Sequence, residues 1–128
     1  MDEELTRIER KLITHILDRI PEQWFKAIDC GPGWTDIILQ CHEELNAIDP
    51  TYTPYQIKEK YGWLRYYFGT TVAGDKSREM LDIVNKYERL SSVTCELTGE
   101  PGSLMVKDGY YRTLSDVFLE RGWEKVNP

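Results

Sequence analysis

The stretch Tyr55-Gln56-Ile57-Lys58-Glu59-Lys60-Tyr61-Gly62-Trp63-Leu64-Arg65-Tyr66-Tyr67-Phe68 decides how this chain folds. It is dense in aromatic and β-branched residues with Gly62 near its centre, so it reads as two short strands meeting at a bend or as one bulged strand, and the hairpin is preferred. Alternate residues of a strand share a face, which puts Gln56, Lys58 and Lys60 on one side and Tyr55, Ile57 and Tyr61 on the other. Arg65 shares its parity with Trp63 and Tyr67. A guanidinium beside aromatic planes can hold a phosphate, a nucleobase or a partner carboxylate. The candidate ligand- or partner-binding residues are therefore Gln56, Lys58, Lys60, Trp63, Arg65 and Tyr67. The plainer account of the same residues is a solvated strand face whose lysines protect a sheet edge.

Upstream, residues 2–20 carry Leu5, Ile8, Leu12, Ile16 and Ile20 at three- and four-residue steps, an amphipathic helix that Pro21 ends. Cys30-Gly31-Pro32-Gly33 is a turn cluster, after which a second helix begins near Thr35. Its apolar positions are Ile37, Ile38, Cys41, Leu45 and Ile48, and Asp49-Pro50 closes it. Downstream, a third helix starts at Gly74-Asp75 and shows Met80, Val84 and Tyr87, with Ile83 and Leu90 beside them. From Val93 the texture changes to short strand-like pieces between Thr98-Gly99-Glu100-Pro101-Gly102 and Lys107-Asp108-Gly109. Thr113 and Asp116 stand in capping-box relation, which predicts a short last helix from Leu114 to about Arg121. The expected fold is α+β in a single domain over residues 1–128, with about three main helices, a β-hairpin and a small C-terminal β unit.

The 128 residues suit one domain, and 41% apolar residues with 4 Trp, 8 Tyr and 3 Phe are enough to close a core. A formal charge of −6 argues against broad contact with phosphate backbones or anionic lipid. No run approaches the ~18 apolar residues of a membrane span, and the acidic start Met1-Asp2-Glu3-Glu4 is unlike a signal peptide. A cytoplasmic protein is expected, with Cys30, Cys41 and Cys95 as reduced thiols.

Catalytic chemistry finds little footing. His15 and His42 sit in predicted helices without an evident partner, and adjacent Cys41 and His42 point about 100° apart around a helix. Both read as surface or core-edge histidines. The carboxylates Asp2/Glu3/Glu4 and Glu43/Glu44 lie on polar helix faces, where solvent holds them ionised. Gly31-Pro32-Gly33 lacks the spacing of a phosphate loop, and no short-spaced pair of Cys or His offers a zinc site. No catalytic residue, metal or cofactor is expected.

Four segments, Cys30-Gly31-Pro32-Gly33-Trp34, Gln56 to Tyr67, Cys95-Glu96-Leu97-Thr98-Gly99-Glu100-Pro101-Gly102 and Gly109-Tyr110-Tyr111-Arg112-Thr113-Leu114-Ser115-Asp116, resemble in order and spacing an uncharacterised family of small phage and bacterial proteins. The resemblance runs from about Cys30 to Phe118. It implies a zinc knuckle built from a C-x-x-C pair in the third segment and a C-x-x-H pair after the Thr-Leu. Here Cys95 holds the first ligand position, while Thr98, Ser115 and Phe118 hold the others, so residues 92–121 read as a degenerate, metal-free knuckle. Packing of Phe118 against Val93, Leu104 and Leu114 is expected to replace the metal.

The resemblance also implies a phage or prophage setting, and hence the cytoplasm of a host cell. The function expected first is a non-catalytic binding protein that inhibits or diverts a host factor, such as a defence system, by protein contact, with Trp24, Trp34, Trp63 or Trp123 as anchors. Capture of a nucleotide or other small anion by Lys58, Lys60, Arg65 and Tyr67 is the alternative. Nucleic-acid binding by the knuckle-derived unit stands third, weakened by the net charge and the lost ligands. No membrane partner is expected, and the sequence sets no oligomeric state.

Overall fold

The computed structural model describes residues 6–126. Leu5 and the carboxylates Asp2, Glu3 and Glu4 lie outside them. Helix α1 (Arg7–Arg19) opens at a capping box in which Thr6 Oγ1 accepts the Glu9 amide at 3.1 Å and the Glu9 carboxylate accepts the Thr6 amide at 2.9 Å. Ile16 and Ile20 are buried, but Ile8, expected on the same stripe, is 71% exposed. A short strand β1 (Ile28–Asp29) and a 3₁₀ turn at Pro32–Trp34 lead into α2 (Thr35–Ile48), which ends at Asp49 as expected. All of Ile37, Ile38, Leu39, Cys41, His42 and Leu45 are buried along α2, so it is the central element of the main core.

The deciding stretch is a hairpin of β2 (Thr53–Lys60) and β3 (Trp63–Gly69), with β1 added in parallel to give the sheet order β1-β2-β3. Tyr61 and Gly62 both have positive φ, 54° and 85°, and form the two-residue turn whose twist matches antiparallel strands. Tyr61 therefore stands out of the sheet, 67% exposed, rather than on the Ile57 face. Tyr55 falls at a register shift between Pro54 and Gln56, and its ring lies 5.7 Å from that of Trp24. Ile57, Leu64 and Tyr66 fill the inner face together with residues of α2 and of α3 (Asp75–Ser91).

Helix α3 also closes the free edge of the sheet. The outward amides of Leu64 and Tyr66 donate to Ser91 Oγ and to the Glu88 carboxylate, each at 2.9 Å. Ser91, fully buried, thus takes the place expected for Leu90, which is 42% exposed. Because β1 pairs with β2 at Ile57 and Lys58, Lys58 is not an edge lysine, which corrects the plainer account for that residue, while Lys60 lies beyond the end of β1.

The C-terminal unit is a second sheet, β5-β4-β6, of β4 (Ser103–Lys107), β5 (Tyr110–Leu114) and β6 (Glu124–Lys125). It extends past residue 121, because β6 pairs with β4 and the Val126 amide donates to the Leu104 carbonyl at 3.0 Å. Thr113 does not cap a helix: it lies in β5 opposite Leu104, and its hydroxyl donates to the Gly62 carbonyl at 2.7 Å. The last helix is a 3₁₀ segment, Asp116–Arg121, entered from Ser115 without a side-chain cap. Cys95, Met105 and Leu114 form a small core with Leu97, Phe118 and Trp123 packed on it. Phe118 and Leu114 thus meet as expected, whereas Val93 is 56% exposed and Leu104 turns toward Gly62.

The two units are stitched by the Cys30-Gly31-Pro32-Gly33-Trp34 loop lying on residues 94–99. A Cβ on Gly33 would come within 2.2 Å of the Cys95 carbonyl oxygen, so only glycine fits there. The Gly33 amide donates to the Glu96 carbonyl at 2.6 Å, and Trp34 Nε1 donates to the Thr94 carbonyl at 2.9 Å. Glu96 itself, 1% exposed, accepts the Gly31 amide at 2.8 Å and a fork from Arg112 Nε and Nη2 at 3.0 and 3.2 Å. Glu96 is buried but Arg112 is 34% exposed, so removing the carboxylate leaves the Gly31 amide and a partly solvated guanidinium unpaired, at a cost of about 1–3 kcal/mol. Glu96→Ala is expected to lose about that much unfolding free energy in urea titration, while exposed Glu22→Ala changes it by less than about 0.5 kcal/mol; equal losses would show that the Glu96 bridge fastens nothing.

Candidate functional site

The hairpin register brings the six sequence-predicted residues together. Gln56 lies opposite Tyr67, Lys58 opposite Arg65 and Lys60 opposite Trp63, three direct cross-strand pairs on the side of the sheet away from the core. Lys60, Trp63 and Tyr67 are exposed, and Gln56, Lys58 and Arg65 are half-buried. Asp29 on β1 is the other neighbour of Lys58, so one row across the sheet reads Asp29, Lys58, Arg65. Like charges directly opposite each other weaken a strand pair. Arg65 Nε is shielded from water and has no acceptor, although the Glu88 carboxylate lies near enough to be acidified by its charge. Burial dominates at Glu88 and raises its pKa.

Of the four tryptophans, Trp24 and Trp63 are 39% and 36% exposed, and Trp123 is half-buried against the small core. Trp34 is fully buried and structural, which removes it from the candidate anchors. Phe25, which no periodicity singles out, is 70% exposed and borders a shallow depression with Asp29, Gln56 and Lys58.

The histidines are not separate. His15 Nδ1 lies 3.1 Å from His42 Nε2, His42 Nδ1 lies 2.6 Å from the Tyr52 hydroxyl, and that hydroxyl lies 2.6 Å from the one on Tyr66. His42 is 1% exposed, so it belongs to the core rather than to its edge. Burial, helped by the charges of His15 and Arg19, pushes its pKa from 6.5 down to about 4, and burial pushes the Tyr52 and Tyr66 phenols above their ordinary range. Both ring nitrogens of His42 are occupied by this chain, and its hydrogen bonds fasten α1, α2 and the sheet to one another.

The four positions that the resemblance assigns to metal ligands, Cys95, Thr98, Ser115 and Phe118, lie around one small core. The Thr98 amide donates to Cys95 Sγ at 3.4 Å, and burial of the thiol is outweighed by hydrogen bonds from Thr98, Ser115 and Leu97, which lower its pKa. Phe118 packs against the same small core but carries no donor atom, so this residue set does not fit a tetrahedral metal. Among the described residues no cluster of three His, Cys, Asp or Glu side chains is arranged to hold a metal ion. All three cysteines are free thiols, with Cys30 pushed up to about 12 mainly by burial and Cys41 raised further by the same cause. No described helix is long and apolar enough to cross a membrane.

No family model, no curated protein and no solved structure matches the chain. Sequence spacing had announced the hairpin face. It gave no signal for the Glu96–Arg112 bridge, for the His15–His42–Tyr52–Tyr66 chain, or for Asp29 beside Lys58.

The histidine chain sets a pH dependence. A group whose folded pKa lies below its unfolded value stabilises the fold above the unfolded pKa, and that contribution fades as pH falls toward the folded value. For His42 the window runs from 6.5 to about 4, worth about 3 kcal/mol in all. The stability gap between the wild type and His42→Gln, read from urea midpoints, is expected to be widest near neutrality and to shrink by about that amount by pH 4. A gap that stays constant across the range would mean that His42 titrates in the fold just as it does in the unfolded chain.

Proposed function

We propose that this chain is a non-catalytic binding protein of the phage or prophage type, acting in a host cytoplasm by contact with a host protein through the outer face of its hairpin. One observation carries the reading. Gln56, Lys58, Lys60, Trp63, Arg65 and Tyr67, chosen from parity alone, form three opposed pairs on a single solvent-side surface. That surface does not serve the fold: its central pair sets two positive charges against each other and leaves Arg65 Nε without an acceptor. Aromatic and Arg side chains are the residue types that dominate binding energy at interfaces. A partner carboxylate would offset the opposed charges of Lys58 and Arg65, and flat contact would cover Trp63 and Tyr67. The phage setting rests on the segment resemblance alone, and a host defence factor as the target is drawn from that setting, the resemblance itself carrying no activity.

The experiment is capture from a bacterial lysate on the tagged chain, run in parallel with Trp63→Ala and Arg65→Ala. The wild type is expected to retain one host protein stoichiometrically, and each variant to retain it at least about tenfold less at unchanged melting temperature. Equal retention by all three would remove the hairpin face as the contact surface.

A second reading is capture of a nucleotide or other small oxyanion, favoured by the two cations Lys58 and Arg65 set opposite each other beside Tyr67. At 100 times its dissociation constant such a ligand adds about 2.7 kcal/mol to stability. A nucleotide panel in thermal denaturation should then raise the wild-type midpoint and leave Arg65→Ala unmoved; a flat panel ends this reading without touching the first.

A further inference from the structure

A second concave site lies away from the hairpin's outer face, where the Tyr61-Gly62 turn approaches the Asp108-Gly109 turn of the C-terminal unit. The cleft has a volume of about 580 Å³, within the range of small-ligand sites. Its walls carry four aromatic rings, Tyr61, Tyr110, Tyr111 and Trp123. Tyr61 and Tyr110 are 67% and 74% exposed, and the Tyr61 and Tyr111 rings meet edge to face with centroids 6.3 Å apart. The first position of such a turn favours Asn, Asp or Gly, and Asp108 at φ 51° obeys that preference. Tyr61, at φ 54°, does not. A bulky ring is held there against backbone preference and left in water, which packing does not explain.

The charges of the cleft decide what it takes. Two cations line it: the charge of Arg112 is met by its fork onto buried Glu96, while Lys107 Nζ donates to the Arg121 carbonyl at 2.7 Å and keeps its charge. Two carboxylates also line it. Glu59 accepts only the Gly62 amide, at 2.8 Å, and Asp108 has no ion-pair partner within 4.0 Å among the described residues. With Arg112 balanced by Glu96, Glu59 and Asp108 stand against Lys107 alone, so the balance of charge is negative, set beside ring faces that also attract cations. A nucleobase would stack on the same rings, but its phosphate would meet two carboxylates with Lys107 alone to offset them.

From this juxtaposition we infer that the cleft binds an organic cation with apolar surface, an alkylammonium or guanidinium group seated on the tyrosine and tryptophan rings with Asp108 and Glu59 as counter-charges. The group could arrive on a free small molecule or on a basic side chain of a peptide. This site is separate from the hairpin face, and its fate does not bear on the reading above.

The test is titration of the isotopically labelled full chain, following the Trp123 indole and the Asp108–Arg112 amides by NMR. The probes are choline, its neutral isostere 3,3-dimethylbutan-1-ol, a capped trimethyllysine and adenosine monophosphate. Choline and trimethyllysine are expected to give saturable shifts at the cleft, with the neutral isostere about tenfold weaker. Tighter binding of trimethyllysine assigns the cation to a peptide, and tighter binding of choline assigns it to a free small molecule. Asp108→Asn and Tyr61→Gly should each weaken choline binding about fivefold or more. Since Tyr61→Gly relaxes the turn, its melting temperature should hold or rise, so lost binding there is not lost folding. Isostere binding equal to choline, adenosine monophosphate binding in its place, or no cleft shift at about 50 mM cation would overturn the inference.

Discussion

The fold turns on one buried carboxylate. Glu96 reaches the amide of Gly31, 65 residues earlier, and grips Arg112, 16 residues later, while its own backbone bonds Gly33 and Thr113. A carboxylate at 1% exposure is costly unless its oxygens are well bonded, and here one amide and two guanidinium hydrogens are donated to them. The bridge explains why the Gly31-Pro32-Gly33 loop is pressed so closely onto residues 95–99 and why the C-terminal sheet, whose own core is only Cys95, Met105 and Leu114 with three partly buried neighbours, holds a fixed place on the main body. Three buried apolar residues are too few to order a unit of this size by burial alone. Packing of Phe118 and its neighbours on that core is thus half of the account; the other half is this ionic link.

A second constraint follows at the hairpin. Its inner face must be apolar to close over α2, and its free edge must be covered, which Ser91 and Glu88 do by accepting two strand amides. With both duties met elsewhere, the outer face is under no obligation to the fold. Opposed Lys58 and Arg65 persist there although they weaken the pair they form. The cost is small because the strands are already fixed by the core beneath and by α3 alongside.

How much of this was legible in the sequence depends on how local each determinant is. Helix α2 could be bounded at Thr35 and Asp49 because a turn and a proline mark its ends, and the six hairpin residues could be grouped because strand parity is a rule of nearest neighbours. The S/T-x-x-D/E pattern occurs at Thr6/Glu9 and at Thr113/Asp116 alike, and only the first is a cap. At Thr113 the same pattern loses to a ladder with β4 and a hydroxyl bond to Gly62, 51 residues away. The helical stripes placed His15 and His42 each correctly within a helix, yet no periodicity says which faces of two helices meet. Glu96 and Arg112 stand in turn-rich sequence as two more charged residues among many, and their partnership exists only in three dimensions.

The two surfaces share a rigid joint at the hairpin tip. Gly62 is buried beneath Leu104, which a Cβ there would strike at 2.5 Å, and its carbonyl and amide are bonded to Thr113 and Glu59. That three-sided hold lets Tyr61 keep a left-handed backbone that an isolated turn would not grant a tyrosine. It also fixes the direction of Lys60 and Trp63, the pair next to the turn, on the outer face. Side chains mounted on backbone that is already ordered lose less freedom on binding than side chains on a loop. The outer face is therefore pre-shaped, because the tip that carries it is locked by the unit on its far side.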